Sequence, residues 1–189
     1  MDIVSRVKNA IKRDCLELGH FEPWFYPVHL LAVEKNAKYL LKKMPDADSL
    51  VILLAVWCHD LQRIHGLPGD HQKAGAEETK RFLPQFGVSK EIIKKVADIV
   101  ALHDFDARAP KSLEAKILVC ADAMSHFDNS FYVWLISSWL QRKKFSMKQA
   151  KKDLVEKIEL DFNKRIFFEF AKKKLEKKYK LFKEFYKTV

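Results

Sequence analysis

An all-α helical bundle is predicted for this chain on three observations. Only five glycines and six prolines punctuate 189 residues, so sheet-forming turns are scarce. Apolar residues recur at the three- and four-residue spacing that lines one face of a helix. Ser or Asp stands where several of these periodic segments begin, where a side-chain oxygen can accept from unpaired backbone N–H groups.

The segments follow in order. An opening amphipathic helix carries Ile3, Val7, Ala10 and Ile11 and stops at Gly19, a residue suited to a helix C-terminus. A second starts near Pro27, with Leu30, Val33, Ala37, Leu40, Leu41 and Met44 on one face, and ends at Pro45. Asp46 or Asp48 caps a third, in which Leu50 to Cys58 is apolar on every side, the pattern of a central buried helix. After Gly66, Pro68 and Gly69 a fourth runs from about Asp70 to Phe86, its last turn disturbed by Pro84. Ser89 caps a fifth that buries Ile92, Val96, Ile99 and Val100 and carries His103 on the same side. Ser112 starts a sixth, apolar nearly all round between Ile117 and Ala121, and a seventh covers Phe131 to Leu140. From Ser146 onward one long or once-bent helix is expected, with Leu154, Ile158, Phe162, Ile166, Phe170, Leu175, Tyr179, Phe182 and Tyr186 near the helical period.

Length and composition predict one domain, 1–189, able to bury a core without cross-links. Cys15, Cys58 and Cys120 are odd in number and widely spaced, which argues against a disulfide framework or a thiolate zinc site and for reduced thiols on apolar faces. The charged N-terminus does not read as a signal peptide, and the longest apolar stretches are half of what a bilayer requires. A cytoplasmic protein without membrane association is therefore expected. Charge is uneven: residues 141–189 carry 17 Lys/Arg against 7 Asp/Glu, the whole of the net +10. A nucleic-acid surface is one reading of this basic quarter. A solvated face around a packing stripe is favoured, because its lysines alternate with acids and flank apolar positions. That stripe needs cover, from the rest of the chain or from a second copy in a homodimer.

The chemistry-bearing residues interrupt the most apolar helices. His29 adjoins the buried stripe of the second, His59 and Asp60 end the third, and Asp122 breaks the sixth. A carboxylate in such surroundings is costly unless a cation or several donors meet it. Imidazole nitrogen and carboxylate oxygen together suit divalent transition metals. His59 and Asp60 diverge by about 100° as helix neighbours, so both can reach one ion set between them. Arg63, one turn further on, points the same way and can grip a phosphate bidentately.

This arrangement resembles the HD superfamily of metal-dependent phosphohydrolases, whose signature is His, then His-Asp, then Asp, each on its own helix of a bundle. The residues that carry the resemblance are His29 in PVHLLAVEKNAKYL, His59 and Asp60 in LAVWCHDLQR, and Asp122 in EAKILVCADAMSHF, over about 20–128. A second His-Asp at His103 and Asp104 shows that the dipeptide alone is weak; order, helix context and the KILxxADA phrase make the set specific. His71, four residues before Gly75-Ala76, resembles the family's HxxxGA segment, and His103 another frequently placed histidine. Arg63 stands where lysine is common in an HDxxK pattern.

The resemblance implies an HD-type bundle, to which the periodicity and charge of the last quarter add a basic amphipathic C-terminal helix. It implies metal binding by His29, His59, Asp60 and Asp122, with His71 and His103 holding a second metal or the substrate phosphate. Manganese, iron, zinc, cobalt, nickel and magnesium are not distinguished. The expected reaction is hydrolysis of a phosphomonoester or nucleotide by metal-activated water, with Asp60 accepting a proton and Arg63 binding phosphate. A di-iron oxygenase and a non-catalytic metal- or nucleotide-binding module are the alternatives. Asp70, Asp104, Asp106 and His126 are read as solvated loop residues, near enough in sequence to serve beside the site.

Overall fold

The computed structural model describes residues 1–20, 22–104, 110–128, 130–142 and 144–188, so Asp106 lies outside the described residues. Among these the chain is helical and contains no strand. The helices are α1 (Ile3–Glu17), α2 (Leu31–Leu41), α3 (Ser49–Cys58), α4 (Leu61–Ile64), α5 (His71–Phe82), α6 (Lys90–Val100), α7 (Leu113–His126), α8 (Phe131–Arg142), α9 (Met147–Leu160) and α10 (Glu169–Thr188). Each predicted cap acts through a local hydrogen bond. Asp48 accepts from Leu50 and Val51 N–H, both at 3.1 Å, and Ser112 accepts from Ala115 N–H at 3.2 Å. Ser89 and Ser146 do the same at the starts of α6 and α9. Gly19, at φ 65°, takes the left-handed conformation just beyond α1.

Helix α3 is the axis of the bundle, with Val51, Ile52, Leu54, Ala55, Val56, Trp57 and Cys58 all buried and α1, α2, α6 and α7 packed around it. Its uniformly apolar sequence requires that position, since any face turned to water would expose Leu, Val or Trp. Trp57 is fully buried. Trp57→Ala is expected to cost about 3–5 kcal/mol, read as a lower urea midpoint with the slope retained.

Two predicted boundaries shift, one short helix is new, and the C-terminal segment takes the once-bent form. Residues Phe25–Leu30 form a π-helical turn ahead of α2. Lacking an N–H, Pro84 instead sits in a short 3-10 turn, Leu83–Phe86, and α5 stops at Phe82. The chain reforms helix immediately after Asp60 as the four-residue α4, unforeseen in the sequence. The C-terminal segment is once bent: α9 runs into a π turn, Asp161–Arg165, then Ile166 is extended (ψ 96°) before α10 begins. Leu154, Ile158, Ile166, Ala171, Leu175 and Tyr186 join the same buried cluster as α3. The rest of this chain therefore covers much of the stripe. Phe162 stacks on Tyr179 at 4.0 Å to close the angle between α9 and α10. The three cysteines are free thiols, Cys58 and Cys120 buried, and among the described residues no helix is long and apolar enough to cross a membrane.

Candidate metal centre

Chain irregularities bring the chemistry-bearing residues together. His29 sits in the π turn, a geometry that re-aims side chains relative to an α-helix. His59 and Asp60 occupy the break between α3 and α4, His71 opens α5, His103 follows the end of α6, and Asp122 lies within α7. His29, His59 and Asp122 present ligand atoms within 4.8 Å of one another, and Asp60, His71 and His103 form a second such group. Asp60 joins the two. Its Oδ2 lies 3.3 Å from His29 Nε2 and 3.1 Å from His59 Nε2, while its Oδ1 lies 3.0 Å from His71 Nε2. Asp122 Oδ1 is 3.4 Å from His29 Nε2 and 3.9 Å from His59 Nε2.

The donor set fits a cation. His59 Nδ1 and His103 Nδ1 meet the carbonyls of Val56 and Val100 at 2.8 and 2.7 Å. A carbonyl only accepts, so both nitrogens carry hydrogen. His71 Nδ1 donates to Gln62 Oε1 at 2.9 Å. His29 Nδ1 donates to Ser125 Oγ at 3.0 Å, because that hydroxyl spends its own hydrogen on the Asp122 carbonyl. All four imidazoles thus turn Nε2 inward, where His29 meets His59 at 3.3 Å and His71 meets His103 at 3.0 Å. Neither pair has room for two Nε2 hydrogens. Asp60 Oδ1 is buried without an aligned donor although His71 and Arg63 stand beside it. Nitrogen lone pairs and carboxylates converging in a dry interior are the environment a divalent ion satisfies.

Before a metal binds, the carboxylates favour a proton on one of these nitrogens, the place a cation would take. Burial alone would lower His59, but Asp60 and Asp122 outweigh it and push its pKa up to about 9. Burial and the neighbouring His59 push His103 down to about 4, which leaves its Nε2 unprotonated at neutral pH. Burial opposes ionisation of Asp60, yet Arg63 and His59 hold it well below the usual carboxylate range. Gly75 faces the His59 carbonyl oxygen, where a Cβ would make an ordinary contact at 3.4 Å, so the packing of α5 against the centre does not depend on glycine.

A cavity of about 420 Å³ opens over these groups. Arg63, ion-paired to Asp60 at 3.2 Å, lines it as expected. Of the residues read as solvated, Asp70 is exposed and Asp104 half-exposed, whereas His126 departs from that reading. His126 is buried and reaches Asp122 Oδ1 at 3.4 Å and Asp161 Oδ2 at 2.8 Å. Asp70 caps α5, and Asp104 pairs with Arg165. The cavity also exposes groups that sequence reasoning missed: Trp24, Ser138, Trp139 and Arg142 on its walls, and Lys157 and Arg165 from the C-terminal segment. One signal for the last group was available. Leu154, Ile158, Asp161 and Arg165 share one helix face, so an ion pair at i,i+4 interrupts an otherwise buried stripe.

The comparisons with known proteins agree with this architecture. The family model of the HD domain matches residues 28–126, just over half of the chain. The chain belongs to the HD domain family, a superfamily of metal-dependent hydrolases. Its fold is similar to the crystal structure of a predicted HD superfamily hydrolase from an uncultured Thermotogales bacterium. The TM-score is 0.61 at 22% identity, over 97% of this chain and 89% of that one. Comparison with curated proteins gives no match.

Proposed function

We propose that the protein is a metal-dependent phosphohydrolase acting on a small phosphomonoester or nucleotide. The observation that carries this reading is the convergence of His29, His59, Asp60 and Asp122 at the floor of a cavity that also bears Arg63, Arg142, Lys157 and Arg165. His29, His59, Asp60 and Asp122 would hold the first ion, which supplies an activated water and stabilises charge on phosphoryl oxygens. Arg63 is partly exposed toward the cavity and hydrogen-bonds those oxygens, its guanidinium matching two at once. Asp60 would orient the attacking water and take up its proton only transiently, since Arg63 and His59 favour the carboxylate, and the Trp24 and Trp139 walls would exclude bulk water from the exchange.

Purified protein loaded with Mn²⁺ or Fe²⁺ is expected to release inorganic phosphate from members of a phosphomonoester and nucleotide panel. No release from any member with any of the candidate metals would sink the reading. Arg63→Met should raise KM about tenfold or more, the loss of one charge-assisted contact of about 1.5–3 kcal/mol, with metal content unchanged. The pH dependence follows from His59. Its pKa is raised above the usual value, so below about 9 a proton competes for Nε2. Metal affinity is therefore expected to rise with pH up to about 9, with proton release on binding at neutral pH, and calorimetry in buffers of differing ionisation enthalpy reads both.

The bridging position of Asp60, one oxygen toward each ligand group, favours two ions over one. Elemental analysis should return two equivalents, falling toward one in His103→Ala. One equivalent in the parent protein, with KM raised and metal content kept in the variant, would assign His71 and His103 to phosphate instead. A paired site also suits di-iron oxygen chemistry, and oxygen consumption without phosphate release would favour that reading.

A further inference from the structure

The C-terminal π turn reaches into the centre from outside the segment that the HD family model matches. Asp161 is fully buried, and its Oδ2 receives the His126 Nδ1 hydrogen at 2.8 Å and the Tyr132 hydroxyl at 3.2 Å. Its Oδ1 is held by Lys157 Nζ at 2.6 Å. His126 is also fixed by Phe131, stacked at 4.0 Å, so that its Nε2 stands 3.4 Å from Asp122 Oδ1. One turn on, the buried Arg165 guanidinium lies 3.7 Å from Asp122 Oδ2, donates to the His103 carbonyl at 3.1 Å and pairs with Asp104. Two residues of one turn thus touch the surroundings of Asp122 and His103, which belong to different ligand groups.

We infer that Asp161 and Arg165 are positioning residues of the metal centre: Asp161 fixes the ring orientation and tautomer of His126 against Asp122, and Arg165 ties Asp122 to the His103 backbone. The inference rests on the metal-centre reading above. With Nδ1–H committed to Asp161 and the ring stacked on Phe131, His126 is held with its Nε2 beside Asp122 Oδ1, which fixes where that carboxylate stands. An amide in place of Asp161 has one acceptor oxygen, and Lys157, which only donates, competes for it. The amide NH₂ then faces His126 Nδ1, and the hydrogen bond that orients the ring against Asp122 is lost. Lysine at 165 keeps the charge but lacks the planar fork that spans three acceptors.

The test measures Mn²⁺ affinity of the full-length protein and its D161N and R165K variants, by calorimetry or by the resonance of free Mn²⁺. Ring-nitrogen spectra of His126 and far-ultraviolet circular dichroism accompany it. Affinity is expected to fall about 10–100-fold in each variant with helical content kept, while Lys180→Met on the exposed face of α10 changes nothing. The metal-free parent should show hydrogen on His126 Nδ1, lost from that nitrogen in D161N. Parent binding with unaltered affinity in both variants, or a parent spectrum with hydrogen on Nε2 alone, overturns the inference. Failure of the parent chain to bind any of the candidate metals would instead overturn the centre itself. Should D161N not fold, R165K and the parent spectrum still decide the question.

Discussion

Asp122→Ala is expected to abolish divalent-metal binding and phosphate release together while the helical content stays near that of the parent. The carboxylate lies among His29, His59, His126 and Arg165 at 3.4 to 3.9 Å, and Asp60, the other acid of the set, is already shared between the two groups. A metal that supplies several kcal/mol of charge stabilisation, at about 1.4 kcal/mol per factor of ten, corresponds to a rate loss of about 10³-fold or more. The fold survives because α7 is anchored by Ala115, Ile117, Leu118, Cys120, Ala121 and Met124, all in the common core. Elemental analysis, phosphate release and circular dichroism on one preparation separate the two effects. A variant that kept full activity would remove Asp122 from the ligand set, and one that lost its helices would make the residue structural.

The second large effect concerns residues 146–188. A chain ending at Phe145 loses Leu154, Ile158, Ile166, Ala171, Leu175 and Tyr186 from the core and uncovers Phe127 and Tyr132, which pack against Phe182. Each large buried aliphatic or aromatic residue contributes about 1.5–3 kcal/mol, so losing several exceeds the 5–15 kcal/mol by which a domain is usually stable. The truncated chain is expected to aggregate, or to bind hydrophobic dyes while losing near-ultraviolet dichroism. The same truncation removes Lys157, Asp161 and Arg165 from the cavity wall. A soluble, active 1–145 chain, together with salt-sensitive nucleic-acid binding by the intact one, would mark the basic segment as a binding arm.

Much of this protein is legible because the relevant physics is local. Asp48, Ser89, Ser112 and Ser146 cap helices through atoms two or three residues away, a relation that sequence spacing contains in full. The apolar run ending at His59-Asp60 announces both a buried helix and an ionisable pair that must be compensated there. Asp122, in the similarly apolar α7, announces the same need, and the structure brings it within reach of His29 and His59.

What only the tertiary structure decided lies between segments. The π turn that aims His29 contains Pro27, and periodicity counts it as ordinary helix because one extra residue per turn barely alters a short pattern. His126 follows Asp122 by four residues and looks like a helix-end residue until α8 and the Asp161 turn bury it. The bend at Ile166 preserves the apolar stripe on both sides, so nothing in the spacing reveals that the chain turns there and carries Asp161 and Arg165 to the metal centre. Helical period encodes which face of a segment is buried, whereas the crossing of one helix over another determines which buried charges meet.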